Sequence, residues 1–506
     1  MWQDGGGQFP ILGAILALPF LGSLIILAIP ERHQPLIRWV AATASFLALL
    51  LSIWVFRAYP YDQGGYQFQE RHAWLPAPVE VSLHLGVDGL SAPLVLLTGI
   101  VIFCGVLVSW KLTRRVKDFF ILLLVLVGGV FGVFLSLDLF FFFFFYEVAV
   151  LPMYLLIAVW GSSTDFGTFQ RTKEYSAMKL TLVLVAASVP VWVAFIALFW
   201  QAGLGTFNLV EIQQGARFSV EFQRLFFPLV LVGFGVLAGL WPFHTWSPDG
   251  HVAAPTAVSM LHAGVLMKLG AFGIIRVGMT LMPEGAQTWM PLLLVLGTVN
   301  VVYGALSALA QQDLKYVVGY TSVSHMGYVL VGIATLNMVG LSGAVLQMFS
   351  HGIMTALMFA LVGAIYDQAH TRVIAGFGGL ARRMGIITAF FVLAGLTSLG
   401  LPGLSGFIAE VLVFAGLFQR PGALVFGVLA VFGAAITAVY ILRLMGTVFF
   451  GDLPPRWEGL RDASPSETVA MAILGGLLVA VGLYPASFLR LITRGVADLM
   501  AIMGVA

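Results

Sequence analysis

The chain has 506 residues, 60% hydrophobic and only 9% charged, with a net charge of +2 and a mean hydropathy of +0.99. Soluble domains carry about 25% charged residues, so a water-soluble fold is excluded, and the dispersed charge offers no basic tract for nucleic acid. The single cysteine, Cys104, excludes an internal disulfide and a cysteine-ligated cluster.

A helix crosses about 30 Å of hydrocarbon with about 20 apolar residues. Fourteen runs qualify, at 9–29, 37–57, 87–110, 117–137, 139–160, 174–200, 225–243, 253–280, 286–308, 314–334, 340–366, 387–417, 423–448 and 467–489. They are continuous rather than alternating, which argues against a strand barrel. The fold class expected is therefore an all-α polytopic membrane protein, a single integral membrane domain over 1–506. The first stretch, MWQDGGGQF, lacks a basic n-region, so 11–29 reads as a retained span and not a cleaved signal. The longest polar connections are near 58–86, 201–224 and 449–466, and none reads as a soluble domain.

Basic residues orient the bundle. With the N-terminus outside, inner segments hold 15 Lys and Arg against 8 on outer segments and span ends, and Lys179 and Lys268 inside spans complete the 25. The bias predicts both termini on the outer side of a bacterial-type inner membrane. Two spans carry helix breakers, AGLWPFHTW around Pro242 and SLGLPGLSGF around Pro402, which are 402 − 242 = 160 residues apart. Proline removes an N–H and clashes with the preceding turn, so helices 7 and 12 are expected to be interrupted. Interrupted helices in two halves are a pointer to a repeat-built transporter, and two packing kinks are the plain alternative.

The stretch DLFFFFFFYEVAVLPMYLL sets Glu147 about 12 Å deep in the fifth run, too deep to reach the surface. A charge at the bilayer centre costs about 2.5–3.5 kcal/mol on insertion scales, so it persists only with a partner, water or a task. Lys179, His262, Lys268, His325, His351 and Glu410 share this condition, on runs six, eight, ten, eleven and twelve. Thr321, Ser322, Ser350 and Thr355 stand near the two SH elements and suit ordered water. Burial and neighbouring charge push carboxylates and lysines toward neutrality, where histidine already titrates, so a wetted Glu/Lys/His line is suited to relaying protons. The scattered histidines match no metal-ligand spacing.

Each residue also has a structural reading. Lys179 lies near a span end and can snorkel or pair, and His262 can be a satisfied core histidine. The phenylalanine run reads as lipid-facing and packing surface. His244, Asp249 and His251 in FHTWSPDGHVAAP read as a polar connection near the inner surface, with a structural role favoured. Asp88 reads as an interfacial helix cap.

The segments LGVDGLSAPLVLLT, FFFYEVAVLPMYLLI, PFHTWSPDGHVAAPTAVSM, GVLMKLGAFGIIR, YTSVSHMGYVL, FSHGIMTALMFALVGAIYD and GLPGLSGFIAE together resemble the antiporter-like membrane subunits of respiratory complex I, of the chain-M or mitochondrial chain-4 type of NADH–quinone oxidoreductase. The resemblance covers nearly the whole chain. It implies fourteen helices with two inverted five-helix repeats, spans 4–8 over 117–280 and spans 9–13 over 286–448. It further implies a subunit that translocates protons while quinone is reduced elsewhere in the complex, beside neighbouring antiporter-like subunits. By position, Glu147 matches the family's fifth-span acid, Lys268 its central lysine, His325 and His351 its relay histidines, and Glu410 the acid of the broken twelfth span. Flavin, iron–sulfur clusters and quinone are then expected in partner subunits, with no cofactor, metal or catalytic residue in this chain. The same fold and motifs also suit a subunit of a multisubunit cation/proton antiporter or a membrane-bound hydrogenase.

Two positions depart from the family pattern. The lysine usual five residues before the seventh-span proline is Leu237 here, which leaves Glu147 without its usual partner, and Ala253 stands where the family often has an acid. His262, not usual at its position, is the expected titratable substitute for that lysine.

Overall fold

The computed structural model describes residues 9–167 and 169–504. Among these residues thirteen helices are long and apolar enough to span a membrane: Ile11–Ala28, Gln34–Ala58, Ser91–Lys111, Val116–Leu135, Leu139–Trp160, Lys173–Ala202, Val220–Leu237, Thr256–Met279, Pro283–Leu309, Leu314–Ala334, Met338–Ala369, Leu424–Phe449 and Pro465–Leu483. The fourteenth, twelfth in chain order, consists of two shorter helices, Gly385–Ser398 and Ser405–Gln419. Spans below are numbered in chain order.

Polar side chains set where the spans begin. The first N–H groups of a helix have no intrahelical acceptor and must find one. Asp138 accepts from Phe140 and Phe141 at the start of the fifth span, Asp313 from Lys315 and Tyr316 at the tenth, and Asn337 from Gly340 at the eleventh. Ser464 and Glu467 form a reciprocal capping box on the fourteenth. The two breaks lie where the breakers predict. The seventh span ends at Leu237, Gly239 adopts φ +81°, and the chain resumes as a short helix, Trp246–Ala253. The twelfth is interrupted at Gly400 (φ +74°) and Gly403 (φ +94°).

The structure corrects the sequence reading at several places. The stretch 225–243 is helical only from Val220 to Leu237, so its last residues belong to the break. Connection 58–86 is not irregular, because Gln67–Leu75 and Val81–Val87 pair as an antiparallel hairpin. Glu70 of that hairpin accepts the N–H groups of Leu12 and Gly13 at 2.8 and 2.9 Å, pinning the start of the first span. Connection 201–224 contains the short helix Leu209–Gly215, and a further helix, Ala486–Met503, follows the fourteenth span. The phenylalanine run is mixed: Phe142 and Phe145 are buried while Phe144 is exposed.

The spans are unequally enclosed. The most apolar windows of the eighth and eleventh are wholly buried and that of the tenth nearly so, whereas half or more of those of the fifth, sixth and thirteenth is only partly buried or exposed. Protein, not lipid, therefore surrounds the middle of the bundle.

Candidate proton-transfer site

Lys268 is fully buried on the eighth span, between two π-helical segments, His262–Leu266 and Ile274–Met279. A π-turn takes carbonyls out of the regular i→i+4 ladder, and such bulges concentrate at functional sites. Lys268 Nζ uses one of these carbonyls, donating to Ala263, and donates also to His351 Nδ1 at 2.9 Å. The His351 ring stacks on His325, with centroids 5.4 Å apart and planes 14° from parallel. Gln347 Nε2 donates to His325 Nδ1 at 3.1 Å, and Glu410 Oε1 lies 3.7 Å from the same nitrogen. His325 Nε2 faces Ser398 Oγ at 3.4 Å. Four titratable groups from spans eight, eleven, ten and twelve thus form one line.

The far end of the line abuts the break. A Cβ placed on Gly400 would lie 2.7 Å from Glu410 Oε2, so the glycine makes room for the carboxylate. His351 Nε2 and Glu410 Oε1 have no hydrogen-bond partner among the described residues. Buried polar atoms are rarely left so, and water is the usual partner at such a place. The hydroxyls of Ser350 and Ser405 pair beside them at 2.7 Å.

The first half is arranged differently. From Trp246 on, FHTWSPDGH is no surface connection: Trp246–Ala253 is buried over its whole length, whereas Phe243 is exposed. Asp249, 3% exposed, bonds Arg171, accepts from Lys179 Nζ at 2.8 Å and from the Tyr316 hydroxyl at 3.1 Å. Lys179 is therefore paired rather than free. His262 and His251 are both fully buried with ring centroids 4.0 Å apart, and Trp246 stacks on the other side of His262 at 5.2 Å. Glu147 stands apart. It is half-buried, and no cation among the described residues lies within ion-pair distance. Leu237 is fully buried, its backbone against Gly270 of the eighth span.

Several members escaped sequence reasoning. Asp249 and His251 were visible only as polar residues in a short Pro/Gly-flanked run between two apolar ones. Asp88 does cap, accepting from Leu90 and Ser91, but it also holds Arg276 of the eighth span through two bonds of 2.7 Å, with Tyr66 OH 2.9 Å from the guanidinium. Burial alone would raise the Asp88 carboxyl; the Arg276 charge and the N–H groups outweigh it and hold it below the ordinary value. No group of three or more metal-ligating side chains occurs among the described residues.

The family described as NADH:quinone oxidoreductase/Mrp antiporter, TM, matches residues 136–437, more than half of the chain. Among curated proteins, the NAD(P)H-quinone oxidoreductase chain 4 of Gloeobacter violaceus is 37% identical over 489 residues, covering 94% of this chain and 90% of its own length. Chain 4 1 of a Synechococcus strain is 39% identical with the same coverages. Among solved structures, a chain of respiratory complex I from Thermus thermophilus superposes with a TM-score of 0.88 at 26% identity, covering 98% of this chain and 100% of that one. A chain of an Mrp complex from Dietzia, with a TM-score of 0.84 at 20% identity, shares the fold, covering 98% and 99%. The lone buried charges, the two broken helices and these likenesses agree, and the chain belongs to the NADH:quinone oxidoreductase/Mrp antiporter family as an antiporter-like membrane subunit of the complex I chain-4 type.

Proposed function

We propose that this subunit carries protons across a bacterial-type membrane within a quinone-reducing complex, and that Lys268, His351, His325 and Glu410 form the terminal relay. The carrying observation is their geometry. An ammonium donates to an imidazole nitrogen at 2.9 Å, that imidazole stacks on a second, and the second faces a carboxylate at 3.7 Å. The stacked imidazoles and the 3.7 Å approach are not hydrogen bonds, and one ordered water at each orphaned atom, His351 Nε2 and Glu410 Oε1, would close the gaps. Each charge in this enclosed line changes its neighbour's proton affinity, so moving one proton biases the next.

Glu147, Lys179 and His262 belong to the half that loads the relay, and Glu410, beside the break, to the half that releases outward. Both termini lie on the outer side by the basic-residue bias. The repeats run over 117–280 and 286–448; the breaks fall in the fourth helix of each, which supports this division. The chain performs no redox step: one cysteine provides no thiolate set for a cluster, and flavin, clusters and quinone sit in partner subunits.

The test is proton uptake and quinone reduction measured together in inverted membrane vesicles. Lys268→Ala and Glu410→Gln are expected to lower protons moved per electron while the complex remains present in normal amount. Parental stoichiometry in both would overturn the relay. Purification with flavin- and cluster-bearing subunits is expected; isolation with antiporter subunits alone would reassign the complex.

A further inference from the structure

We propose that His251 and His262 act as a two-histidine site sharing a single proton, and that this site replaces the charge that Leu237 withholds from the first half of the relay. The inference rests on the relay reading above. Its starting point is a departure from the family resemblance: the fifth-span acid Glu147 and the central Lys268 are present, yet Leu237, where the resemblance implies a lysine, is a buried leucine.

The geometry offers one alternative nearby. His251 comes from the short helix beyond the seventh-span break, His262 from the first π-segment of the eighth span, and their ring centroids are 4.0 Å apart. Both are fully buried, and three of their four ring nitrogens have no hydrogen-bond partner among the described residues: His251 Nδ1, His262 Nδ1 and His262 Nε2. The fourth, His251 Nε2, is 3.0 Å from Ser247 Oγ. A structural histidine normally fixes its tautomer through hydrogen bonds, and His262 has none. Two imidazolium charges this close cannot both be held away from water, so the pair titrates as a unit and holds one proton at most.

The placement suits a substitute. Trp246 lies between the dyad and the end of the seventh span: its ring stacks on His262 and its Nε1 donates to the carbonyl of Val236, next to Leu237. On the loading side, His251 is two residues from Asp249, which holds Lys179 and Arg171. On the other side, His262 shares the eighth span with Lys268, whose Nζ bonds the carbonyl of Ala263, the residue after His262. Lys315 of the tenth span also approaches, its Nζ donating to the Ala254 carbonyl, which Ser259 Oγ shares with the His251 carbonyl. Lys268 and Lys315 therefore approach the dyad, and Lys179 is linked to its helix through Asp249, so the dyad's proton is sensitive to the charge of the nearby lysines.

The experiment uses the assembled complex in inverted vesicles, reading protons per electron beside the amount of complex. His262→Leu and His251→Gln are each expected to remove most pumping, and the double variant to be no worse than either single one. Adding Leu237→Lys to His262→Leu restores the family's charge and is expected to recover pumping, which a purely structural histidine would not allow. If His262→Leu lowers the amount of complex, His262→Gln serves instead. Parental stoichiometry in the His262 variant, or no recovery with Leu237→Lys, would overturn the proposal. Lys268→Ala run in parallel separates the two readings: if it fails to pump while His262→Leu pumps normally, the relay stands and the dyad falls.

Discussion

Asp249→Asn tests whether the buried helix after the seventh-span break is held by charge. The carboxylate is 3% exposed and accepts from Lys179 at 2.8 Å, with Arg171 on its other oxygen. At an effective dielectric constant of about 20, one pair at that distance is worth about 6 kcal/mol before desolvation is counted. The two cations keep 21% and 28% of their side-chain surface in contact with solvent, which returns part of that on loss of the partner. Removing one member of a buried pair costs about 3–5 kcal/mol, and asparagine retains the Tyr316 contact, so the lower end, about 3 kcal/mol, is expected. With an unfolding entropy of about 1 kcal/mol/K for a chain of this length, the thermal midpoint of the subunit falls by about 3 °C. The assay is the midpoint of the purified complex followed by the solubility of this subunit, with Asp249→Glu as the charge-retaining control. An unchanged midpoint in Asp249→Asn would refute the reasoning.

Two further outcomes follow from the ends of the broken and capped spans. At Asp138 burial outweighs the N–H groups of Ser82, Phe141 and Phe140 and pushes the carboxyl up to about 6 from its ordinary 3.8. Because the fold favours the protonated form, its contribution is full below the unfolded value and is lost as pH rises through about 6, at roughly 3 kcal/mol in all. Asp138→Asn should remove that slope between about pH 4 and 6, at a pH-independent cost of about 1 kcal/mol for the lost Ser82 acceptor; thermal midpoints against pH check it, and an unchanged slope would count against it. Gly400→Ala should cost about 1–2 kcal/mol for its positive φ and displace the Glu410 carboxylate, since the new Cβ would lie 2.7 Å from Oε2. Fewer protons per electron are expected at normal quinone reduction, and parental pumping would show that the carboxylate's position is immaterial.

The fold was legible where hydropathy alone decides structure. The fifth and tenth spans occupy the residues the apolar runs mark, and both breaks sit at their glycine–proline signals. The second half of the site was equally legible, because Lys268, His325, His351 and Glu410 are isolated polar residues inside long apolar runs. Asp249 was misplaced for the opposite reason. It lies in a run whose polarity looks like water contact, and only the surrounding sixth and tenth spans, distant in sequence, enclose it. The hairpin at 67–87 was absorbed into a connection, although QFQERHAWL and VSLHLGV have strand composition. Asp88 was correctly read as a cap, but its pairing with Arg276 joins residues 188 apart, which no local pattern encodes.

The uneven enclosure of the spans explains why the charges divide as they do. A charge facing hydrocarbon costs several kcal/mol, while one facing protein and ordered water can be satisfied. The eighth, tenth and eleventh spans have almost no outward surface, so Lys268, His325 and His351 occupy helices on which a polar line avoids lipid. In the fifth and sixth spans half or more of the most apolar window is not buried, and there the polar groups behave differently. Lys179 is tied to Asp249, and Glu147 sits half-buried without an ion-pair partner among the described residues. The two groups of polar residues therefore differ in arrangement: Lys268, His351, His325 and Glu410 lie in one enclosed line, whereas Asp249 pairs with Lys179 and Arg171 and Glu147 stands apart.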